Sequence, residues 1–243
     1  MTFSPEKAFH LTTGSLPILL TLPHSTPLEQ SYAAELKERV RGLKKAEGGL
    51  LDITEQFKQV CHSQKGTPYV LIARVHRSRI DFSRSKQIIA GEHAYDDARA
   101  EPLYDAFEQT LAGLVRQITH AAAPTALLLD LHGCRSRDTD VFLGTLNGKT
   151  ITSNGHLHSL RDRLHESLSK KGWKVEPKPG TDEIKFTGRS DSIIARHNLA
   201  KLAAQPGNYG SLQIEISQHI RLRAANNQQF AYDLAEAILS LLD

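Results

Sequence analysis

The sequence has few of the features that would place it outside ordinary globular proteins. It contains two cysteines in 243 residues, Cys61 and Cys134, and two cannot build a disulfide framework. No apolar run approaches the ~20 residues that a membrane helix needs, so we expect a soluble chain. Residues 1–10 have no basic flank followed by an apolar stretch, which predicts no secretory signal and a cytoplasmic location.

Other absences concern charge and organisation. The 30 Lys and Arg residues nearly balance the 27 Asp and Glu residues, and a net charge of +3 is too small to indicate nucleic-acid or membrane binding by itself. Internal repeats and low-complexity tracts are absent. The composition, 40% hydrophobic and 23% charged, excludes disordered, collagenous and fibrous classes. No Pro-, Ser- or Gly-rich linker divides the chain, which favours one domain.

Apolar and amphipathic segments alternate along the chain. Strands are predicted at residues 16–22, 69–75, 125–131, 173–179 and 211–217. Helices are predicted at residues 28–43, 95–120, 156–172 and 227–242. Another helix is predicted to begin at about residue 52, with Asp52 or Thr54 as its N-cap. Residues 188–204 are predicted to be part loop and part helix. This alternation favours an α/β fold with a mainly parallel sheet, and we interpret residues 173–190 as local decoration.

Two histidines follow predicted strands at the positions where α/β sheets bind ligands. His24 comes after the strand at 16–22, and His132 comes directly after the strand at 125–131. Catalytic zinc sites often use two histidines and one carboxylate. Because either histidine is equally compatible with an ordinary turn residue, the hypothesis of a metal site depends on the pair.

The acidic ligand of such a site is less well defined by sequence. Asp52 is our first choice because it lies close to a predicted helix start, and Glu55 and Glu47 are the alternatives. Asp130, two residues before His132, is expected to orient a neighbouring group rather than to bind the metal itself.

One further carboxylate and a group of arginines are candidates for catalysis. Glu215 interrupts an apolar alternation, so it is either a solvent-facing residue on an edge strand or a carboxylate that exchanges protons with water and a leaving amine. Arg74, Arg77, Arg79 and Arg84 lie within eleven residues. A solvated face is the default interpretation, and a nucleic-acid patch would need aromatic residues that are missing. Arginines also bind carboxylates and oxyanions.

Taken in chain order, these residues resemble the N-formylglutamate amidohydrolase family, which is similar in design to the zinc carboxypeptidases. The matching elements are Pro23-His24-Ser25-Thr26, Asp52-Ile53-Thr54-Glu55, Arg77 with Asp81-Phe82-Ser83-Arg84, Asp130-Leu131-His132-Gly133 with Leu143-Gly144, Phe186-Thr187-Gly188, Arg196-His197 and Leu212-Gln213-Ile214-Glu215. The resemblance covers most of the chain.

The resemblance implies a fold and a metal centre. The fold would be a three-layer α/β architecture of the phosphorylase/hydrolase type, with a mixed, mostly parallel sheet flanked by helices. Residues 1–243 would form a single catalytic domain. One zinc ion per chain would be held by His24, Asp52 and His132.

The resemblance also implies the chemistry. Glu215 would be the general base and then the acid, Arg77 would stabilise the oxyanion, and Arg84 would hold a substrate carboxylate. The substrate would be an N-acylated acidic amino acid, N-formylglutamate being one candidate, or a related small carboxylate-bearing amide. A catalytically inactive carboxylate-binding member of the same fold is the alternative. No nucleic-acid or membrane partner is expected, and the oligomeric state stays open.

Overall fold

A seven-stranded sheet organises the part of the chain that the computed structural model describes, which is residues 3–120, 124–152, 158–203 and 207–242. The strands are β1 Phe9–Thr12, β2 Ile18–Leu22, β3 Tyr69–Ala73, β4 Thr125–Cys134, β5 Val141–Gly144, β6 Val175–Glu176 and β7 Asn208–Ser217. The helices are α1 Leu50–Gln64, α2 Glu101–His120, α3 His158–Lys170, α4 Ile193–Arg196, α5 Leu199–Leu202, α6 Gln218–Arg221 and α7 Ala224–Leu239.

The sheet is mixed and mostly parallel. Its strand order is β1-β3-β2-β4-β7-β5-β6, and β3, β2, β4 and β7 run parallel to one another. Antiparallel pairing occurs between β1 and β3 and between β7 and β5. Because the four central strands are parallel, their carboxyl ends meet at one edge of the sheet, where ligands usually bind.

Helices cover both faces of the sheet. Helices α1, α3 and α7 pack on one face, where Phe57, Leu164 and Phe230 belong to one apolar core. Helix α2 covers the other face, where Phe107 and Leu111 belong to a second core. The predicted three-layer α/β fold is therefore confirmed. Helices are needed on both faces because the strands are nearly continuous in apolar residues.

Most predicted elements are present with shifted ends. Strands β2, β3, β4, β6 and β7 and helices α1, α2, α3 and α7 lie within or overlap their predicted segments. The predicted helix at residues 156–172 is observed from His158, and residues 156 and 157 lie outside the described ranges. The short strands β1 and β5 were not predicted. No described helix is long and apolar enough to cross a membrane.

The helix predicted at residues 28–43 is wrong. This segment contains a short 3-10 helix, Leu28–Gln30, and is otherwise irregular. Most of its charged residues are exposed, but Arg39 is only 1% exposed, so the charges do not all lie on one solvated helical face. The Arg39 guanidinium donates hydrogen bonds to the backbone oxygen of His93 at 3.1 Å and to Asp81 at 3.2 Å. These buried partners require the chain to leave a helical path.

The start of α1 also differs from its prediction. Gly49, rather than Asp52 or Thr54, is the N-cap, and it has a φ of +81°. A Cβ atom there would lie 2.1 Å from the backbone oxygen of Arg221. Glycine is thus required by both conformation and space, and it sets the direction of the chain just after Glu47.

Candidate functional site

Two histidines and one glutamate converge at the carboxyl edge of the sheet. Ligand atoms of His24, Glu47 and His132 all lie within 4.8 Å of one another. The Nδ1 atom of His24 is 3.2 Å from Glu47 Oε1, and the Nδ1 atom of His132 is 3.6 Å from Glu47 Oε2. His24 follows β2, and His132 lies near the end of β4, which is hydrogen-bonded to β2.

A second carboxylate lies behind each imidazole. The Nε2 atom of His24 donates to Asp81 Oδ1 at 2.7 Å, and the Nε2 atom of His132 donates to Asp130 Oδ2 at 2.9 Å. Thr21 donates its hydroxyl hydrogen to the other oxygen of Asp130. This arrangement fixes both rings with Nδ1 towards Glu47, as carboxylates do behind metal-binding histidines.

The three residues fit a divalent cation such as zinc. Two imidazole nitrogens and one carboxylate oxygen are a usual donor set of catalytic zinc sites. Donor atoms around a tetrahedral zinc ion lie ~3.3 Å apart, close to the distances of 3.2 and 3.6 Å between the His24 and His132 nitrogens and the Glu47 oxygens. Two imidazole nitrogens that face one carboxylate need a positive charge between them, which either a proton at Nδ1 or a metal ion supplies.

Asp52, the sequence-based first choice for the acidic ligand, does not lie with the two histidines. It is exposed in the first turn of α1 and lines a surface cavity together with Glu55 and Gln56. The acid that lies with the two histidines is Glu47, one of the two alternatives. The backbone nitrogen of Glu47 donates to the backbone oxygen of His24 at 2.8 Å, so an irregular loop holds the acid against the end of β2.

Electrostatics favour the charged forms of Glu47 and His132. Burial alone raises the pKa of Glu47, but the charges and hydrogen bonds of His24 and His132 outweigh it and hold that pKa well below its usual range. Burial lowers the pKa of His132, but Asp130 and Glu47 reverse this and raise it well above its ordinary value. A bound cation would take the place of the proton at Nδ1 of His132.

Arg77 lies against the same cluster. It is 4% exposed, so the default interpretation of a solvated arginine does not hold for it. Its Nη1 donates to Glu47 at 2.8 Å and its Nη2 to Asp81 at 3.3 Å. Its Nε atom is buried and has no hydrogen-bond partner among the described residues. One buried N–H group beside the cluster therefore lacks an acceptor in the described part of the chain.

Asp81, which sequence reasoning did not assign, connects the histidine to the arginines. Burial raises the pKa of its carboxyl, but the charges of His24, Arg77 and Arg39 and the hydrogen bond from His24 hold it well below its usual range. Ser83 donates to the same carboxylate through both its backbone nitrogen and its hydroxyl. The motif Asp81-Phe82-Ser83-Arg84 included this residue, but the motif did not indicate that Asp81 is hydrogen-bonded to His24.

Glu215 faces the same region from β7. It pairs in register with His132 on the neighbouring parallel strand, and it is 8% exposed. Strand β7 lies between β4 and β5, so the interpretation of a solvent-facing residue on an edge strand is wrong. Burial raises the pKa of Glu215, and the charge of Glu47 adds to that effect although His132 opposes it.

A cavity of about 290 Å³ adjoins the cluster. Its lining includes His24, Glu47, His132, Arg77, Glu215, Arg84, Gln213, Phe186 and Arg189. Arg84 donates its Nε hydrogen to Glu92 at 3.2 Å, and its Nη2 has no partner in the described part of the chain. Residues 186–189 lie in the segment that we interpreted as decoration, and the structure places them in the cavity wall.

Glu108 and Arg196 support the loop that carries Arg84. Arg196 Nη2 donates to the backbone oxygen of Phe82 and to Glu108, both at 2.8 Å. His197 lies 3.0 Å from the other oxygen of Glu108. Burial raises the pKa of Glu108, but His197 and Arg196 lower it to about 2 from its ordinary value of 4.5.

We expect Glu108→Gln to destabilise the protein at neutral pH. Because the Glu108 side chain keeps 20% exposure, the loss in the free energy of unfolding should be about 2 kcal/mol, below that of a fully buried pair. The lowered pKa makes this contribution complete above pH ~5 and progressively lost towards pH ~2. Urea unfolding at several pH values measures it, with Glu55→Gln as an exposed control. A difference from wild type that does not shrink in acid would contradict the assignment.

Comparison with known protein structures identifies proteins of similar fold. The chain is similar to an N-formylglutamate amidohydrolase from Ralstonia eutropha JMP134, with a TM-score of 0.67 and 19% identity over 97% of both chains. It is also similar to a gene product of Agrobacterium tumefaciens, with a TM-score of 0.60 and 15% identity over 100% of both chains. No protein-family model and no curated protein matches the sequence. The resemblance expected from the motifs is confirmed at the level of the fold.

Proposed function

We propose that this chain is a metal-dependent amidohydrolase that cleaves the amide bond of an N-acyl amino acid. The observation that carries the proposal is the cluster of His24, Glu47 and His132, in which a carboxylate supports each imidazole. The similar fold of an N-formylglutamate amidohydrolase supports the same reaction class. The proposal includes one zinc ion per chain and a single catalytic domain over residues 1–243. The cytoplasmic location stays a prediction.

Glu215 is suited to proton transfer beside this centre. When bound, a divalent ion supplies Lewis acidity that polarises a carbonyl and activates water. Gln213 donates to Glu215 Oε1 at 3.0 Å, and the other carboxylate oxygen has no partner among the described residues. That oxygen takes a proton from the attacking water and delivers it to the leaving amine nitrogen. A raised pKa brings the carboxyl closer to neutrality, where such an exchange is most efficient.

Two arginines would position the substrate. The Nε–H group of Arg77, buried and without a partner in the described structure, would donate to the oxygen of the attacked carbonyl as it gains negative charge. Arg84 would bind the free carboxylate of the amino acid through its Nη groups, which is the bidentate geometry that guanidinium favours. The cavity then holds the amide between the two.

We expect purified protein to contain about one zinc ion per chain by elemental analysis. The same preparation should hydrolyse at least one N-acyl acidic amino acid, and treatment with a chelator should abolish that activity until zinc is restored. Full activity of metal-free protein would contradict the proposal. Stable binding of acyl amino acids with neither zinc nor hydrolysis would support the alternative of an inactive carboxylate-binding protein.

A further inference from the structure

A second cavity opens from the candidate site on the side of Glu47 and Gly133. Its volume is about 580 Å³, twice that of the first, and both cavities are of the size that binds small molecules. The residues lining both are Leu43, Glu47, Arg77, Gly133 and Phe186. A formyl group has two non-hydrogen atoms and leaves the larger space unfilled.

Part of the second cavity is apolar. Leu43, Leu222 and Phe186 line it and are 74%, 57% and 40% exposed. Large apolar side chains that are exposed around a concave wall mark a binding site more often than single exposed ones do. They provide a surface for an aliphatic chain of several carbons.

The rest of the wall is cationic. Lys45 and Arg135 line the cavity and are both exposed, and no hydrogen bond or ion pair links either to another described residue. Arg221 also lines it, but its guanidinium is bound to the backbone oxygens of Gly48, Ile216 and Cys134. The acid in the wall is Glu47, which already faces two imidazoles. Lys45 and Arg135 are therefore left for an anionic group of the ligand.

We propose that the second cavity holds the acyl part of the substrate, which is an apolar chain of several carbons that ends in a carboxylate. This inference rests on the proposed function, in which Arg84 binds the amino acid carboxylate in the first cavity. The amide then lies between them, beside Glu47. Water adds to the acyl carbon, the C–N bond breaks, and the nitrogen takes the proton, which yields a dicarboxylic acid and an amino acid.

Three substrates separate the contributions of chain length and charge: N-formylglutamate, N-hexanoylglutamate and N-adipoylglutamate. The hexanoyl and adipoyl chains have equal length and differ in the terminal carboxylate. For the zinc-loaded protein we expect kcat/KM to be about tenfold higher for the adipoyl than for the hexanoyl substrate at ~0.05 M salt. The ratio should fall towards one at ~0.5 M salt, because the two cations are exposed.

The double variant Lys45→Gln/Arg135→Gln should reduce this ratio to less than about threefold. Arg137→Gln is the matched control, because this exposed arginine lies on the same loop and does not line the cavity. Leu222→Ser should lower kcat/KM for both long substrates by about fivefold, and Leu202→Ser should not.

Calorimetric binding of the three compounds distinguishes failure of the inference from failure of the proposed function. Hydrolysis of all three at similar rates, unchanged in the double variant, would overturn the inference and leave the hydrolase standing. Tight binding of the adipoyl compound that the double variant loses, with no hydrolysis, would support the cavity assignment and overturn the hydrolase. Neither binding nor hydrolysis would overturn both.

Discussion

Replacing Glu215 by glutamine should lower kcat for amide hydrolysis by about 10²–10⁴-fold. Glutamine has the same shape but no basic oxygen, so it cannot take a proton from water or return one to the amine. Since Glu215 pairs in register with His132 and is not one of the three clustered residues that we propose to bind the metal, the variant should keep its zinc. Steady-state kinetics together with elemental analysis on one preparation measure both properties.

Glu176→Gln is the control for this experiment. Glu176 ends β6 at the sheet edge and lines a different cavity, so its loss should leave kcat within about twofold of wild type. If Glu215→Gln kept most of its turnover with zinc bound, Glu215 would have no part in proton transfer. If it lost zinc as well, its role would be in the metal centre instead.

Replacing Glu47 by glutamine should remove the metal and with it the activity. Carboxylates that merely support a ligand contribute about 10–100-fold to metal affinity, so loss of a direct ligand should cost more than about 100-fold. After dialysis, we expect zinc in Glu47→Gln to fall far below one per chain. The amide oxygen of glutamine can accept one of the two hydrogen bonds that Arg77 and Gly133 donate to different oxygens of Glu47, whereas its NH2 group accepts neither. Circular dichroism checks that the variant is still folded.

Asp52→Asn provides the matched comparison, because Asp52 is the acid that its position near a predicted helix start had favoured. It is exposed in the first turn of α1, so we expect full zinc content and activity. Zinc loss in Asp52→Asn with zinc kept in Glu47→Gln would restore the original assignment and refute the geometric one.

The architecture was largely predictable because it follows from local patterns. The runs that form β2 and most of β4 are nearly all apolar, which is typical of a strand covered on both faces, and β7 alternates apolar and polar residues from Leu212 to Ser217. Helix α2 shows the helical spacing of apolar residues over twenty positions. These patterns indicate which segments are strands and which are helices, whereas the strand order is known only from the structure. The short edge strand β1 carried no comparable pattern.

The irregular loops were not predictable from pattern, and they supply much of the site. The segment at residues 28–43 has charges at helical spacing, but Arg39 is bound inside the protein by Asp81 and His93. Because Asp81 and His93 lie far from Arg39 in the sequence, no periodic pattern around Arg39 indicates that they bind it. Residues 186–189 also line the cavity, and no periodic pattern in the sequence indicates this position.

The sequence by itself determined the α/β class and placed His24, His132 and Glu215 at strand ends, because parallel strands bring their carboxyl ends to one edge. Only the tertiary structure decided that the acid beside the two histidines is Glu47. A backbone hydrogen bond to His24 and a left-handed glycine at position 49 bring it there. Which carboxylate meets an imidazole depends on distances through space, and the loop that sets those distances has no regular period.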